Sequence, residues 1–343
     1  MIEQERLREM GRLCSCIERG ENMKQDWIIQ TKNLTKQYNG KGGIHNISLD
    51  VPRGTVFGFI GPNGAGKSTF VRTMLGLIHA DSGTAQMLGQ PIGTIESKRR
   101  IGYLPELFRY PDWLTGWQLL ETHAKLCDLP SRERKAKMSE VIEKVGLKGR
   151  EKEKIRGYSK GMQQRIGLAC ALLSDPELIF LDEPTSALDP IGRKEVRHLM
   201  EELRDQGKTV FLNSHLLNEI EHVCDHVAII NKGELIVQGD WRSLMMIQTE
   251  IEVTLGEKSG LFFKQLPSFV KNVRKIEEQQ NRKRWIIALQ QEDDIPRLLE
   301  AFVALHIPVY QLNPVHPHLE DVFMYWVNKR EGTQHVDNRQ VII

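Results

Sequence analysis

The apolar residues of this chain fall into two patterns, and the change between them comes near residue 240. Before it, short continuous apolar runs at 55–60, 178–181 and 209–212 stand between polar segments. Short apolar runs of this kind predict strands. Helical spacing follows over 68–75 and 163–173, so the first part of the chain is expected to be α/β. Beyond Gly239 strands are predicted at 250–255, 270–276, 284–289 and 308–312, with a short helix near 260–266 and an amphipathic one over 294–305. That order, β-α-β-β-α-β, predicts a small α+β domain of the ferredoxin-like kind.

The break after the first run carries chemistry. Its residues are Gly61, Pro62, Asn63, Gly64, Ala65, Gly66, Lys67, Ser68 and Thr69. The glycines let the backbone curl its N–H groups around phosphate, Lys67 neutralises β/γ-phosphate charge, and the Ser68 hydroxyl can ligate Mg²⁺. A strand before and a helix after place the phosphate at the positive end of a helix dipole. The second run ends in Asp182 and Glu183. Adjacent carboxylates at a strand end can divide labour, Asp182 holding Mg²⁺ through water and Glu183 activating the attacking water. An Asp-Glu pair alone is more often a solvated loop. Here it lies downstream of a phosphate loop and is followed by Pro184 to Asp189, and the two segments together favour a nucleoside triphosphate site.

With these residues in place the chain resembles the ATP-binding subunit of an ABC transporter, over about residues 28 to 240. The resemblance implies a P-loop NTPase domain with a helical subdomain, ATP and Mg²⁺ as cofactors, and ATP hydrolysis coupled to transport. Tyr38 matches the aromatic that stacks on adenine, although a lone Tyr near a strand end is equally plain packing. Residues 158–165 fall where the family's signature motif belongs, with Ser159 placed as a helix N-cap and Gly161 beside it. Asp189 closes a segment resembling the loop that crosses the dimer interface, and His215 matches the switch histidine that contacts the γ-phosphate. Two departures stand out: Tyr158, Lys160 and Met162 within the signature, and Glu106 where the family places a Gln in its Mg²⁺-contacting loop. Both resemble the branch serving ABC-2 type exporters, including drug and bacteriocin-peptide efflux. The resemblance implies two subunits closing head to tail, so that residues 61–69 of one and 159–161 of the other sandwich each ATP. It further implies a transmembrane permease partner that holds the subunit on the inner face of a bacterial cell membrane.

The remaining features set boundaries. No apolar segment reaches the ~20 residues needed to span a bilayer, so a transport pore is expected in another polypeptide. Phe108, Tyr110, Trp113 and Trp117 either border the groove for a short helix of the membrane subunit or form the core of the helical subdomain. With 47 basic and 45 acidic residues among 343, the charge is near balance, which argues against nucleic acid as the main partner. The stretch 148–156 reads as a solvated helical face. Five cysteines without metal-like pairing beyond Cys14 and Cys16 suggest a reducing cytoplasm and no disulfides. The domains are expected at 24–240 (ATP-binding) and 241–328 (accessory, closed by a helix over 318–327), with a polar tail at 329–343. Residues 1–23 are either an authentic helical extension or untranslated, since Gly20-Glu21 can be encoded as a ribosome-binding sequence ahead of Met23. A soluble non-transport ABC ATPase, such as a translation or resistance factor, is the alternative function. It would ordinarily carry two phosphate loops, and this chain has one.

Overall fold

The computed structural model describes residues 26–38, 42–214, 216–245, 249–256, 260–264, 266–279 and 282–315, together with Phe323 and Trp326. The chain begins with β1 (Trp27–Gln37), β2 (Gly43–Ile47), β3 (Asp50–Pro52) and β4 (Val56–Ile60), then α1 (Lys67–Met74), β5 (Ser82–Met87), β6 (Gln90–Pro91), α2 (Ile95–Lys98) and β7 (Ile101–Leu104). Next come α3 (Gly116–Leu126), α4 (Ser131–Lys144), α5 (Lys160–Leu172), β8 (Leu178–Asp182), α6 (Pro190–Asp205), β9 (Thr209–Ser214), α7 (Leu217–Val223), β10 (His226–Asn231), β11 (Glu234–Asp240) and α8 (Trp241–Met245). The last part holds β12 (Thr249–Gly256), α9 (Gly260–Lys264), β13 (Val270–Gln279), β14 (Arg282–Leu289), α10 (Ile295–Ala304) and β15 (Val309–Val315).

The continuous apolar runs become β4, β8 and β9, in which every residue is buried. They lie in a six-stranded sheet of order β11-β10-β4-β9-β8-β7, parallel throughout except for the antiparallel edge pair β10 and β11. Successive side chains of a strand point to opposite faces. Phe57, Phe59, Phe180 and Phe211 therefore join Phe70 of α1 on one side, where Phe59 and Phe70 lie 4.8 Å apart and Phe180 and Phe211 5.0 Å. Val56, Ile60, Ile179, Leu181, Val210 and Leu212 join the inward stripe of α5 and α6 on the other. Within α6 that stripe is Val196, Leu199, Met200 and Leu203, the i, i+3, i+4, i+7 spacing of a helix packed on one face. A second, antiparallel sheet of β2, β1, β5 and β6, with β3 on β1, leans on the phenylalanine side.

The C-terminal strands form a separate four-stranded sheet of order β13-β14-β12-β15, antiparallel at every pairing. With α9 and α10 as its crossovers, this is the split βαβ arrangement of the ferredoxin-like fold. Its own core gathers Ile251, Val253, Leu255, Phe262, Ile287, Leu289, Leu298 and Phe302.

The stretch 148–156 departs from expectation: it is a series of turns ending in a short 3₁₀ helix at Ile155–Gly157. Gly146 and Gly149 adopt left-handed conformations, φ 69° and 85°, which end α4 and prevent its continuation. The turns then serve α3, since the carbonyls of Glu151 and Glu153 accept the N–H groups of Trp117 (2.8 Å) and Gly116 (3.2 Å). Among the four aromatics, Phe108, Tyr110 and Trp117 pack against the main core while Trp113 is 68% exposed. The expected N-terminal extension and C-terminal tail lie outside the described residues, as does the closing helix apart from Phe323 and Trp326, which are helical.

Candidate active site

Strand β4 delivers the chain into the 61–66 loop at the C-terminal edge of the sheet, where open α/β folds bind their ligands. Two glycines there are required by space. A Cβ on Gly61 would meet the Ile230 carbonyl oxygen at 2.3 Å, and one on Gly66, at φ 102°, would meet that of Gly43 at 2.4 Å. Gly66 is also the N-cap of α1 and supplies no side-chain cap. The first-turn N–H groups of α1 are therefore left to meet an anion.

Lys67 opens α1 and is 8% exposed. Its ammonium donates to the carbonyls of Gly61 (2.7 Å) and Pro62 (3.2 Å), folding the side chain back over its own loop. Burial lowers its pKa, opposed by the nearby charges of Glu183, Asp182 and Glu106. These groups share a cavity of about 410 Å³. Asn63, Gly64, Gly66, Lys67, Ser68 and Thr69 line it from the loop side, and Glu106, Asp182 and Glu183 from the strand side.

The carboxylates are held by strand register. Parallel pairing of β8 with β9 sets Asp182 beside Asn213, whose side-chain amide donates to Asp182 Oδ1 at 2.5 Å. Glu183 leaves the sheet at φ 53°, a left-handed conformation that side chains other than glycine adopt at a cost. Its N–H donates to the Asn213 carbonyl (2.9 Å), and its own carbonyl accepts from Ser186 Oγ (3.1 Å) and Gln164 Nε2 (3.3 Å). Burial pushes the Asp182 carboxyl up to about 6, helped by Glu106 and Glu183 and opposed by the Asn213 hydrogen bond and Lys67. A carboxyl shifted upward by burial and like charges at an open cavity is suited to a cation that neutralises it.

Mg²⁺ fits this donor set. The Ser68 hydroxyl and the carboxylates are hard oxygen ligands, and Mg²⁺ commonly takes one or two carboxylates, with phosphates and waters completing its shell. Among the described residues no three acidic, His or Cys side chains form an all-protein cage, and such a cage is not what Mg²⁺ requires.

Other expected residues lie away from the cavity lining. Ser159 caps α5, its Oγ accepting from Met162 N at 3.2 Å, and Gly161 sits under Leu188, whose Cδ2 would be 3.3 Å from an added Cβ. Tyr158, the signature departure, is buried, its hydroxyl donating to the Arg150 carbonyl at 3.0 Å. Asp189 caps α6, accepting from Gly192 N at 2.7 Å ahead of Pro190. Tyr38 stands 43% exposed just after β1, with the Lys36 ammonium 5.9 Å from its ring. His215 lies outside the described residues. Two lining residues, Gly43 and Asn213, have no counterpart among the sequence expectations. The signal for Asn213 was an amide at the end of the otherwise apolar run 209–212.

The family model for the ABC transporter domain matches residues 44–186. An uncharacterized ABC transporter ATP-binding protein of Synechocystis is 38% identical over 314 residues, 88% of this chain and 85% of the relative. The chain belongs to the ABC transporter ATP-binding protein family. It is an ATPase of that family. The linearmycin resistance ATP-binding protein LnrL of Bacillus subtilis is 35% identical over 303 residues, covering 87% of this chain and 97% of the relative. Among solved structures, a dimeric ATP-binding cassette in a post-hydrolysis state bound to ADP and Pi superposes with a TM-score of 0.57 at 25% identity, over 62% of this chain and 98% of the other. Among the described residues, no helix of this ABC ATPase is long and apolar enough to cross a membrane.

Proposed function

We propose that the protein energises an ABC-2 type exporter, binding ATP between two subunits that close head to tail and held at the membrane by a permease. The observation that carries this reading is the convergence of the 61–69 loop, Lys67 and the Asp182–Glu183 pair on one cavity. Likeness to a linearmycin resistance protein supports export, and likeness to a dimeric cassette supports pairing.

In this reading Lys67 exchanges its loop carbonyls for the β- and γ-phosphates, while the free N–H groups at the start of α1 bind phosphate oxygens. Ser68 and Asp182 hold Mg²⁺, with Glu106 beside them; the ion supplies charge neutralisation on the phosphates. Glu183 takes the proton of the attacking water as general base. Ser159 and Gly161 of one subunit, at the uncovered start of α5, face the γ-phosphate held by the other. Asp189 lies at the junction between subunits, Tyr38 stacks on adenine, and His215 contacts the γ-phosphate. Hydrolysis replaces one bound anion by two, and their repulsion reopens the pair.

The test combines purification with one variant. Tagged protein drawn from native membranes in mild detergent should carry a multi-span membrane protein in stoichiometric amount, and the eluate should hydrolyse ATP. Glu183→Gln should keep ATP binding and lose about 10²–10⁴-fold in turnover. Recovery of ribosomes in place of a membrane subunit would replace the exporter reading with that of a soluble factor.

A further inference from the structure

We propose that Asn213 is a positioning residue for the metal-binding and hydrolytic carboxylates, an inference that rests on the assignment of Asp182 to the metal. Asn213 touches both acidic residues at once. Its side-chain amide N–H holds Asp182 Oδ1 at 2.5 Å, and its main-chain carbonyl holds the N–H of Glu183 at 2.9 Å. The amide orientation is fixed by chemistry, because the flipped rotamer would set two acceptor oxygens against each other at that distance. With Oδ1 engaged, Oδ2 of Asp182 is the oxygen available to a cation in the cavity.

The surroundings show that this amide is not there for packing. Val210, Phe211 and Leu212 before it on β9 are apolar and buried, and Asn213 itself is only 2% exposed. Its Oδ1 is buried without a hydrogen-bond partner among the described residues. A polar atom left in that condition destabilises the fold, and an apolar side chain of similar size would not incur the cost. The benefit lies in what the other half of the amide does. Residues that orient a metal ligand through such a bond commonly change metal affinity or activity by about 10–100-fold when removed. The parallel register of β8 and β9 sets the geometry, so the contact is built into the sheet rather than into a loop.

The experiment separates metal from nucleotide. The full chain is titrated with Mn²⁺, read by electron paramagnetic resonance, in the presence of a non-hydrolysable ATP analogue; affinity for the analogue is measured separately in EDTA. Asn213→Leu and the smaller, strand-compatible Asn213→Val should each weaken Mn²⁺ binding by about 10–100-fold. Analogue affinity in EDTA should fall by less than the Mn²⁺ affinity does. Unchanged Mn²⁺ affinity in a folded variant would overturn the proposal. So would an equal loss of affinity with and without metal, because it would mean general damage to the site. Should the Leu variant fail to fold, the Val variant decides. Failure of the underlying reading would look different: the parent itself would bind neither analogue nor Mn²⁺, and the inference would fall with it.

Discussion

The two sheets of this ABC ATPase handle polar groups in opposite ways. In the six-stranded sheet the strands are buried on both faces, and the polar residues Asp182, Glu183, Asn213 and Ser214 are buried together at the strand ends. In the C-terminal sheet one face carries the apolar core. The other carries cross-strand ion pairs, Arg274 with Glu250 at 3.3 Å and Arg284 with Glu252 at 2.6 Å. The first arrangement crowds carboxylates together, with burial and Glu106 raising the Asp182 carboxyl, where a cation can relieve them. The second pairs these charges across neighbouring strands. A mixed α/β domain can thus give up stability at its site, while the ferredoxin-like module keeps these ion pairs on the face away from its core.

That contrast can be broken most decisively through Phe302, fully buried in the C-terminal core and 4.7 Å from Phe262. Phe302→Ala should cost that module about 3–5 kcal/mol, seen as a lowered thermal transition while ATP binding persists. Parallel loss of ATP binding would show that the two sheets melt as one unit.

Asp182 tests the cost on the other side. Burial, helped by Glu106, pushes its carboxyl up to about 6, above the ordinary aspartate range, so the folded state holds the proton more tightly. The stability this adds is complete below the unfolded value and is lost as pH rises from about 4 to 6. Above that range the ionised, crowded carboxylate costs on the order of 1–3 kcal/mol. Asp182→Asn should therefore raise the melting temperature in EDTA at pH 8 and leave it nearly unchanged at pH 4. An equal shift at both pH values would refute the electrostatic account.

The smallest effect belongs to the paired face. Arg284 is 44% exposed, and Arg284→Ala should change stability by about 0.2–1 kcal/mol. A larger loss in urea melts would mean that this face is buried against something in the assembled protein.

Much of this was legible in the sequence, for identifiable reasons. The strands at 55–60, 178–181 and 209–212 were visible because burial on both faces leaves an unbroken apolar run. The phosphate loop was visible because its requirements are met by contiguous residues. The strand and helix order expected beyond Gly239, β-α-β-β-α-β, is the one the four-stranded sheet and its two helices show. Asn213 was missed because its importance lies in lateral register with Asp182, 31 positions earlier in the chain, and register is not written in local spacing. The turns at 148–156 were misread as helix because charge patterning suited one, while the conformations of Gly146 and Gly149 decided otherwise. The cavity lining of the single chain also omits Ser159, Gly161 and Asp189, whose proposed ligand is the nucleotide held by another subunit.

The left-handed backbone at Glu183 has a consequence for how this enzyme would drift. Such a conformation burdens a glutamate by about 1–2 kcal/mol, and glycine or asparagine would relieve it. A variant library sorted for heat resistance alone should enrich those two residues at 183, and one sorted for turnover should retain glutamate. Under the proposed general-base role, the position is held by catalytic fitness against the preference of its own main chain.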